Sequence, residues 1–391
     1  GRKSITMAWL CVVFPALILS YLGQGALILA DPRNVSGPFF LLVPQWGRLP
    51  MVLLATAATV IASQAVITGA YSVTAQAAQL GYLPRLRIAH TSESTMGQIY
   101  VPFVNWLLLV SVLTLVFAFR SSAALGFAYG MAVTATITIS TLLFFYIARD
   151  KWKIPMWALA IGAALLLTVD LLFVAANLTK FVHGAWLPLL IGLTVFTVMI
   201  TWQRGREIVS SDRQRREGSL REFVEQLRHG GVSTSRVPGT AVFLNRGKET
   251  VPLAMRANVE HNHVLHEHVV IMSIDIEPVP RVPQAQRITI DDLGYDDDGI
   301  THVSAKYGYL ETPDVPAALR MIDSSSTEAP LSVDQASYFL SKIELRYGDS
   351  ATMARWRKRL FIATSYITAD AADQFNLPRD RTVIMGAHID V

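Results

Sequence analysis

Residues 101–147, VPFVNWLLLVSVLTLVFAFRSSAALGFAYGMAVTATITISTLLFFYI, carry one charged side chain, Arg120, at a short polar break between two apolar runs. A helix of about twenty apolar residues matches the hydrocarbon thickness of a bilayer. Inside that layer the backbone finds no water, so each run must satisfy its own N–H and C=O groups. The stretch therefore reads as two membrane helices joined by a tight turn. The same reading extends outward. Apolar segments at Ile5–Ala30, Met51–Ala75, Val101–Phe119, Ala123–Ile147, Pro155–Val174 and Ala185–Trp202 predict six spans, and no further run of this kind follows Trp202.

The remainder is of another kind. Charged residues make up 16% of the 391 residues, against about 25% in soluble domains, and most of them lie after Trp202. That region, about 190 residues, is long enough for one domain with its own core. The predicted division is a six-helix transmembrane part at 1–203, an amphipathic linker helix at 204–236 and a cytosolic α/β domain at 237–391. A formal net charge of +4 does not call for nucleic acid, because basic residues gather in loops at one membrane face. Nine fall on one side: Arg2, Lys3, Arg85, Arg87, Arg149, Lys151, Lys153, Arg204 and Arg206. Four fall on the other: Arg33, Arg48, Arg120 and Lys180. The richer side predicts the cytoplasm, with both ends of the chain and the polar half inside. Tyr82, Tyr100, Trp152 and Trp202 on that side, and Trp46 and Trp186 opposite, fit interfacial aromatic belts. The single cysteine, Cys11, lies in the first span, so there is no intrachain disulfide and no cysteine metal cluster. The chain opens Gly1-Arg2-Lys3 and enters a span too long for a signal-peptide core. The expectation is the C-terminal part of a longer protein.

Polar residues inside the spans are the candidate site. The second span, ATAATVIASQAVITGAYSVTAQAA at 55–78, is rich in small residues, which predicts a helix inside the bundle. Ser63, Gln64 and Thr68 then line a transport path, or merely pack helices and back-bond to carbonyls. In the fourth span, LGFAYGMAVTATITIS at 125–140, Gly126, Gly130, Thr134 and Thr138 recur every fourth residue and share one face. Tyr129 and Thr136, seven apart, share a neighbouring face. Their hydroxyls can replace part of a cation's hydration shell; the plainer alternative is a packing seam of small residues. Asp170 is the acidic residue well inside a span. A carboxylate at mid-bilayer costs about 2.5–3.5 kcal/mol on insertion scales, so it should face a cavity or a partner. It lies seven residues before Asn177, hence about 10 Å from the outer end, and reads as a gate or as a structural anchor. Gly23-Gln24-Gly25 marks either a helix break or a frayed end.

After the membrane part, SSDRQRREGSLREFVEQLRH at 210–229 places Leu220, Phe223, Val224 and Leu227 on one face, predicting an amphipathic helix. β-rich runs follow: TAVFLN, EHVVIMSIDI, QRITI, THVSAKYGYL and RTVIMGAHIDV. Helical candidates lie near Pro252–Val259, Asp314–Met321 and Ala351–Ala371, so a mixed α/β domain is expected. His261, His263, His266 and His268 have spacings that zinc can use, but the segment runs from a helix end into a buried strand, so no metal site is assigned. Asp296-Asp297-Asp298-Gly299, after Asp291-Asp292, does not meet the EF-hand pattern and reads as a solvated turn. No phosphate loop, dinucleotide fingerprint or nucleophile elbow is present. The domain is expected to be regulatory or structural rather than enzymatic, without a cofactor.

Several blocks resemble the KUP/HAK/KT family of potassium uptake transporters: YLGQGALIL from Tyr21, FFLLVP from Phe39, ATVIASQAVITGAYSVTAQAAQLGYLPRLRIAHTS from Ala58, GQIYVPFVNWLLL, AYGMAVTATI and ANLTKFVHGAWLPL. PGTAVFL, YFLSKIEL and MARWRKRLF extend the resemblance beyond the membrane. It implies a twelve-span transporter of the amino-acid/polyamine/organocation type with inverted repeats, of which these six helices are the last. It implies inward potassium movement with protons at a bacterial inner (plasma) membrane. The family's ion site is built from spans outside this sequence, and the resemblance makes Tyr129 the cation-contacting aromatic kept here. The pathway set is then Tyr129, Thr134, Thr136, Gln64 and Ser63, with Asp170 as gate or structural carboxylate. The implied partners are potassium, membrane lipid, the N-terminal half of the same protein and a second copy through the cytosolic domain. The competing class is a membrane-anchored sensor with a ligand-binding cytosolic domain; weakly apolar helices bearing Gln64, Tyr129 and Asp170 favour transport.

Overall fold

The computed structural model describes residues 2–90, 99–229, 234–277, 279, 281–291, 298–308, 311–322, 332–348, 353–368, 372 and 375–390. The six expected spans are six helices long and apolar enough to cross a membrane: α1 (Lys3–Ala30), α2 (Arg48–Gln79), α3 (Pro102–Phe119), α4 (Ser122–Asp150), α5 (Met156–Leu178) and α6 (Trp186–Glu217). The chain divides into two compact units, Gly1–Tyr71 and Ser72–Val391. In the first unit α1 contains a π segment at Trp9–Val13, where the Phe14 N–H donates to Trp9 O. Pro15, which has no N–H to give, follows at once. The second span, expected to lie inside a bundle, has none of its apolar window buried. Thr56, Thr59 and Thr68 donate to carbonyls four residues back at 2.8, 2.8 and 2.9 Å, which lets a hydroxyl-rich helix tolerate that exposure.

Local chemistry sets the ends of these helices. α2 stops in a Schellman motif, with the Tyr82 N–H on Ala77 O and the Gly81 N–H on Ala78 O. Gly81 takes φ +81°, which glycine adopts without steric cost. Pro102 opens α3, where its missing N–H costs nothing. The break between α3 and α4 is a left-handed Arg120 followed by Ser121, whose Oγ accepts from the Ala124 N–H at 3.5 Å.

Beyond α6 a six-stranded sheet forms from β1 (Ser235–Asn245), β2 (Val264–Glu277), β3 (Ile288–Asp291), β4 (Ile300–Gly308), β5 (Ser337–Arg346) and β6 (Thr382–Asp390). The strand order is β3-β4-β2-β1-β5-β6, parallel except for β3 against β4. Parallel sheets are covered on both faces. Here α7 (Leu220–Arg228) and α8 (Leu253–Asn262) cover Phe243, Leu265 and Ile271, while α9 (Val315–Arg320) closes over Val242, Val270, Val303 and Tyr338. The fold is thus a membrane helical part followed by a mixed α/β domain, as expected.

Three local expectations change. Residues 210–229 are not one helix: α6 runs unbroken from Trp186 to Glu217, Gly218 turns the chain at φ +66°, and Ser219 caps α7. YFLSKIELR, absent from the β-rich runs read off the sequence, is strand β5. Trp202, expected in a belt facing lipid headgroups, packs on protein. Its ring lies 5.1 Å from that of Phe361 on α10 (Arg355–Ser365), and Arg357 donates to Thr201 Oγ1 at 3.2 Å and to Ile200 O at 3.3 Å. The MARWRKRLF block therefore fastens the sheet domain to α6, with Met353, Ile208, Val209 and Leu345 completing the contact.

Candidate functional site

Glycines let α4 and α5 approach. Asn177 Oδ1 lies 2.9 Å from where a Cβ on Gly130 would stand, and Phe145 lies 3.3 Å from that of Gly162. These two contacts fix an antiparallel register in which each step along α4 is a step back along α5. Asp170, seven residues before Asn177 and on the same face, falls level with Ile137, between Thr134 and Thr138. The small-residue face read from the sequence is, at Gly130, a packing seam.

Polar groups along this seam are mostly satisfied within their own helices. Thr134 Oγ1 donates to Gly130 O at 2.9 Å, Thr138 Oγ1 to Thr134 O at 2.9 Å, and Asn177 Nδ2 to Phe173 O at 3.0 Å. Asp170 differs. Its Oδ2 is buried and has no hydrogen-bond partner among the described residues. A buried acceptor without a donor costs about 1–3 kcal/mol, more when ionised, so it calls for a proton, an ion or a moving donor.

The other candidates lie elsewhere. Tyr129 is 72% exposed and projects from α4 away from the seam, as does Thr136, which donates to Ala132 O at 2.8 Å. Ser63 and Gln64 sit on exposed positions of α2 in the first unit. The structure thus brings Thr134 and Asp170 to one level and does not bring Tyr129 or Thr136 to them. Sequence reasoning missed Asn177 as the residue that meets Gly130; its heptad spacing from Asp170 was the available signal. At the end of the seam that follows Asn177, the Lys180 ammonium stands 5.1 Å over the Phe127 ring, and Gly184 packs against Ala124 O.

In the sheet domain, no three His, Cys, Asp or Glu side chains group as metal ligands among the described residues. His261 lies in the last turn of α8 and His263 is its left-handed cap, whereas His266 and His268 lie on β2. Asp292, Asp296 and Asp297 of the acidic turn lie outside the described residues.

Comparison with known proteins gives a consistent result. Residues 1–207 match the family described as "K+ potassium transporter integral membrane domain", and residues 238–391 match "K+ potassium transporter C-terminal domain". A "Probable potassium transport system protein Kup" of Rhodococcus jostii (strain RHA1) is 70% identical over 391 residues, covering 100% of this chain and 60% of that protein. Proteins of the same description from Cutibacterium acnes and Acidithiobacillus ferrooxidans are 44% and 45% identical over 99% of this chain. The chain spans about three fifths of the length of these curated relatives. No solved structure matches it.

Proposed function

Since the chain belongs to the K+ potassium transporter family, we propose that it serves inward potassium transport across a bacterial inner membrane, coupled to protons. The observation that carries this reading is the family match over all six membrane helices. Its relatives, described as potassium transport system proteins, supply the substrate.

The finer parts of the proposal follow from the site. Tyr129, Thr134, Thr136, Gln64 and Ser63 line the ion pathway, and Asp170 acts as its gating carboxylate, supported by the buried, unpartnered Oδ2. Tyr129 and Thr136 present oxygens on an uncovered face of α4, so the pathway reading requires that face to meet further helices rather than acyl chains. The relatives, longer than this chain, offer room for such helices, in an inverted-repeat arrangement of the amino-acid/polyamine/organocation type with this chain as the C-terminal portion. The charge asymmetry of the loops supports cytoplasmic ends and a cytosolic sheet domain. That domain, divided from the membrane part over 204–236, has a regulatory or structural role and pairs two copies.

The test is potassium uptake by the complete protein in cells lacking other uptake systems. The parent protein restores growth at low potassium, and Tyr129→Phe loses most of that uptake. No restoration by the parent overturns the function; full restoration by Tyr129→Phe overturns the site. In proteoliposomes, added potassium acidifies the lumen as protons enter with it. Uptake without acidification removes the proton coupling.

A further inference from the structure

Three segments converge where α6 leaves the membrane part. On α6, Arg206 and Arg213 are seven residues apart and share a face. The Arg206 guanidinium lies over the backbone of Gly81, so closely that a Cβ there would overlap it. Four residues after Gly81 comes Arg85, and from the sheet comes Arg246, directly after the last residue of β1. That loop is held by Asn245 Nδ2, which donates to Gly247 O at 3.0 Å and Thr250 O at 2.6 Å.

The same loop is tied to the end of α6, where the Leu220 N–H donates to Glu249 O at 2.8 Å and the Val251 N–H to Gly218 O at 3.4 Å, and the electrostatics of the four arginines agree with that closeness. Partial desolvation, then Arg213, Arg85 and Arg206, push the Arg246 guanidinium from its ordinary value down to about 10, with Glu217 opposing. Arg85 is lowered by desolvation and by Arg206. The nearby carboxylates are engaged: Glu217 pairs with Arg213, Glu207 with Arg204 at 3.0 Å, and Asp212 with Arg216 at 2.9 Å. Among the described residues, Arg85, Arg206 and Arg246 have no carboxylate partner and keep exposed surface. Gathering unpaired like charges costs free energy unless an anion joins them, and guanidinium forks match phosphate oxygens.

The location fits such a ligand twice over. The chain leaves β1 through α8 for β2 on one side, whereas β5 lies on the other, so Arg246 stands at the carboxyl edge where the strand order reverses. Ligands of open parallel sheets bind at that point. Arg206 lies four residues, about 6 Å along the helix, past the end of the last apolar run at Trp202, and basic residues just beyond a span face headgroups.

We propose that Arg85, Arg206 and Arg246 bind a phosphate group at the junction of the sheet's carboxyl edge with α6 and the end of α2, either the headgroup phosphate of an anionic phospholipid or a free phosphate. This goes beyond the transport reading and does not depend on it. Arg213, held by Glu217, borders the site and is not counted among its ligands.

The experiment uses the full chain in detergent. Native mass spectrometry measures retention of phosphatidylglycerol against phosphatidylcholine; thermal unfolding measures the response to pyrophosphate against chloride at equal ionic strength. The triple variant R85Q/R206Q/R246Q, the single variant R246Q and the control R221Q on α7 are compared with the parent. Parent and control should retain phosphatidylglycerol about tenfold over phosphatidylcholine, or gain thermal stability with pyrophosphate. The first result identifies a lipid source and the second a free one. The triple variant should lose whichever response is seen, and R246Q should fall between. The proposal is overturned if the parent discriminates in neither arm, or if the triple variant, or R246Q should the triple variant not fold, behaves as the parent in both.

Discussion

Asp170 and His302 each carry a buried polar atom without a hydrogen-bond partner among the described residues. Asp170 lacks a donor at Oδ2 in a seam whose other polar atoms bond within their own helices. Asp170→Asn keeps the shape and removes the titratable charge. It should lower potassium uptake by the complete protein about tenfold or more while leaving its amount and elution profile unchanged; retained uptake would make Asp170 an anchor only. His302 is fully buried on β4. Its Nε2 lies 3.4 Å from Ser273 Oγ, Ser273 Oγ lies 3.0 Å from Ser304 Oγ, and Ser304 donates to Asp275 at 3.2 Å. Burial first, and then Lys248, depress its pKa below 6.5, against Asp291 and Asp275. The unfolded chain therefore takes up this proton before the folded one does. Stability from His302 is complete above pH 6.5 and falls as acid carries the pH toward the depressed folded value. Thermal unfolding of the full chain should show that loss, and His302→Gln should flatten it while costing about 1–3 kcal/mol at neutral pH. His266, also lowered by burial, keeps some slope in the variant.

At the scale of elements, the docking of α10 on α6 and the ending of α2 carry the sharpest expectations. Phe361, 2% exposed, fills the space opposite Gly205 and Trp202. Phe361→Ala should cost about 3–5 kcal/mol, read as lower thermal stability and faster proteolysis after α6. Gly81→Ala forces a Cβ into a left-handed position and against Arg206; about 1–2 kcal/mol is expected, again by thermal unfolding. The spans were legible because a bilayer permits few ways to satisfy a backbone. β5 was missed because its buried run, Tyr338-Phe339-Leu340, is only three residues long, while SKIELR alternates half-buried and exposed residues. The docking role of Trp202 was hidden for a related reason: a tryptophan at the end of a span reads the same whether lipid or protein meets it. The level relation of Asp170 to Thr134 and Thr138 needed the α4–α5 register, which follows from contacts at Gly130 and Gly162 rather than from either helix alone.

For the whole molecule, hydropathy separated the membrane half from the polar half, and the strand and helix punctuation of the latter announced a mixed domain. Where the halves meet, charge begins at Arg204 while the helix does not end until Glu217. That overhang has a mechanical meaning. From Trp202 to Glu217 it is a rigid rod about 22 Å long, without a joint in its backbone and clamped at its base by Phe361 and Arg357. A rocking of its intramembrane portion during an ion's passage would swing the rod like a tiller, steering the sheet edge that it carries, and a load placed on that edge would resist the same swing.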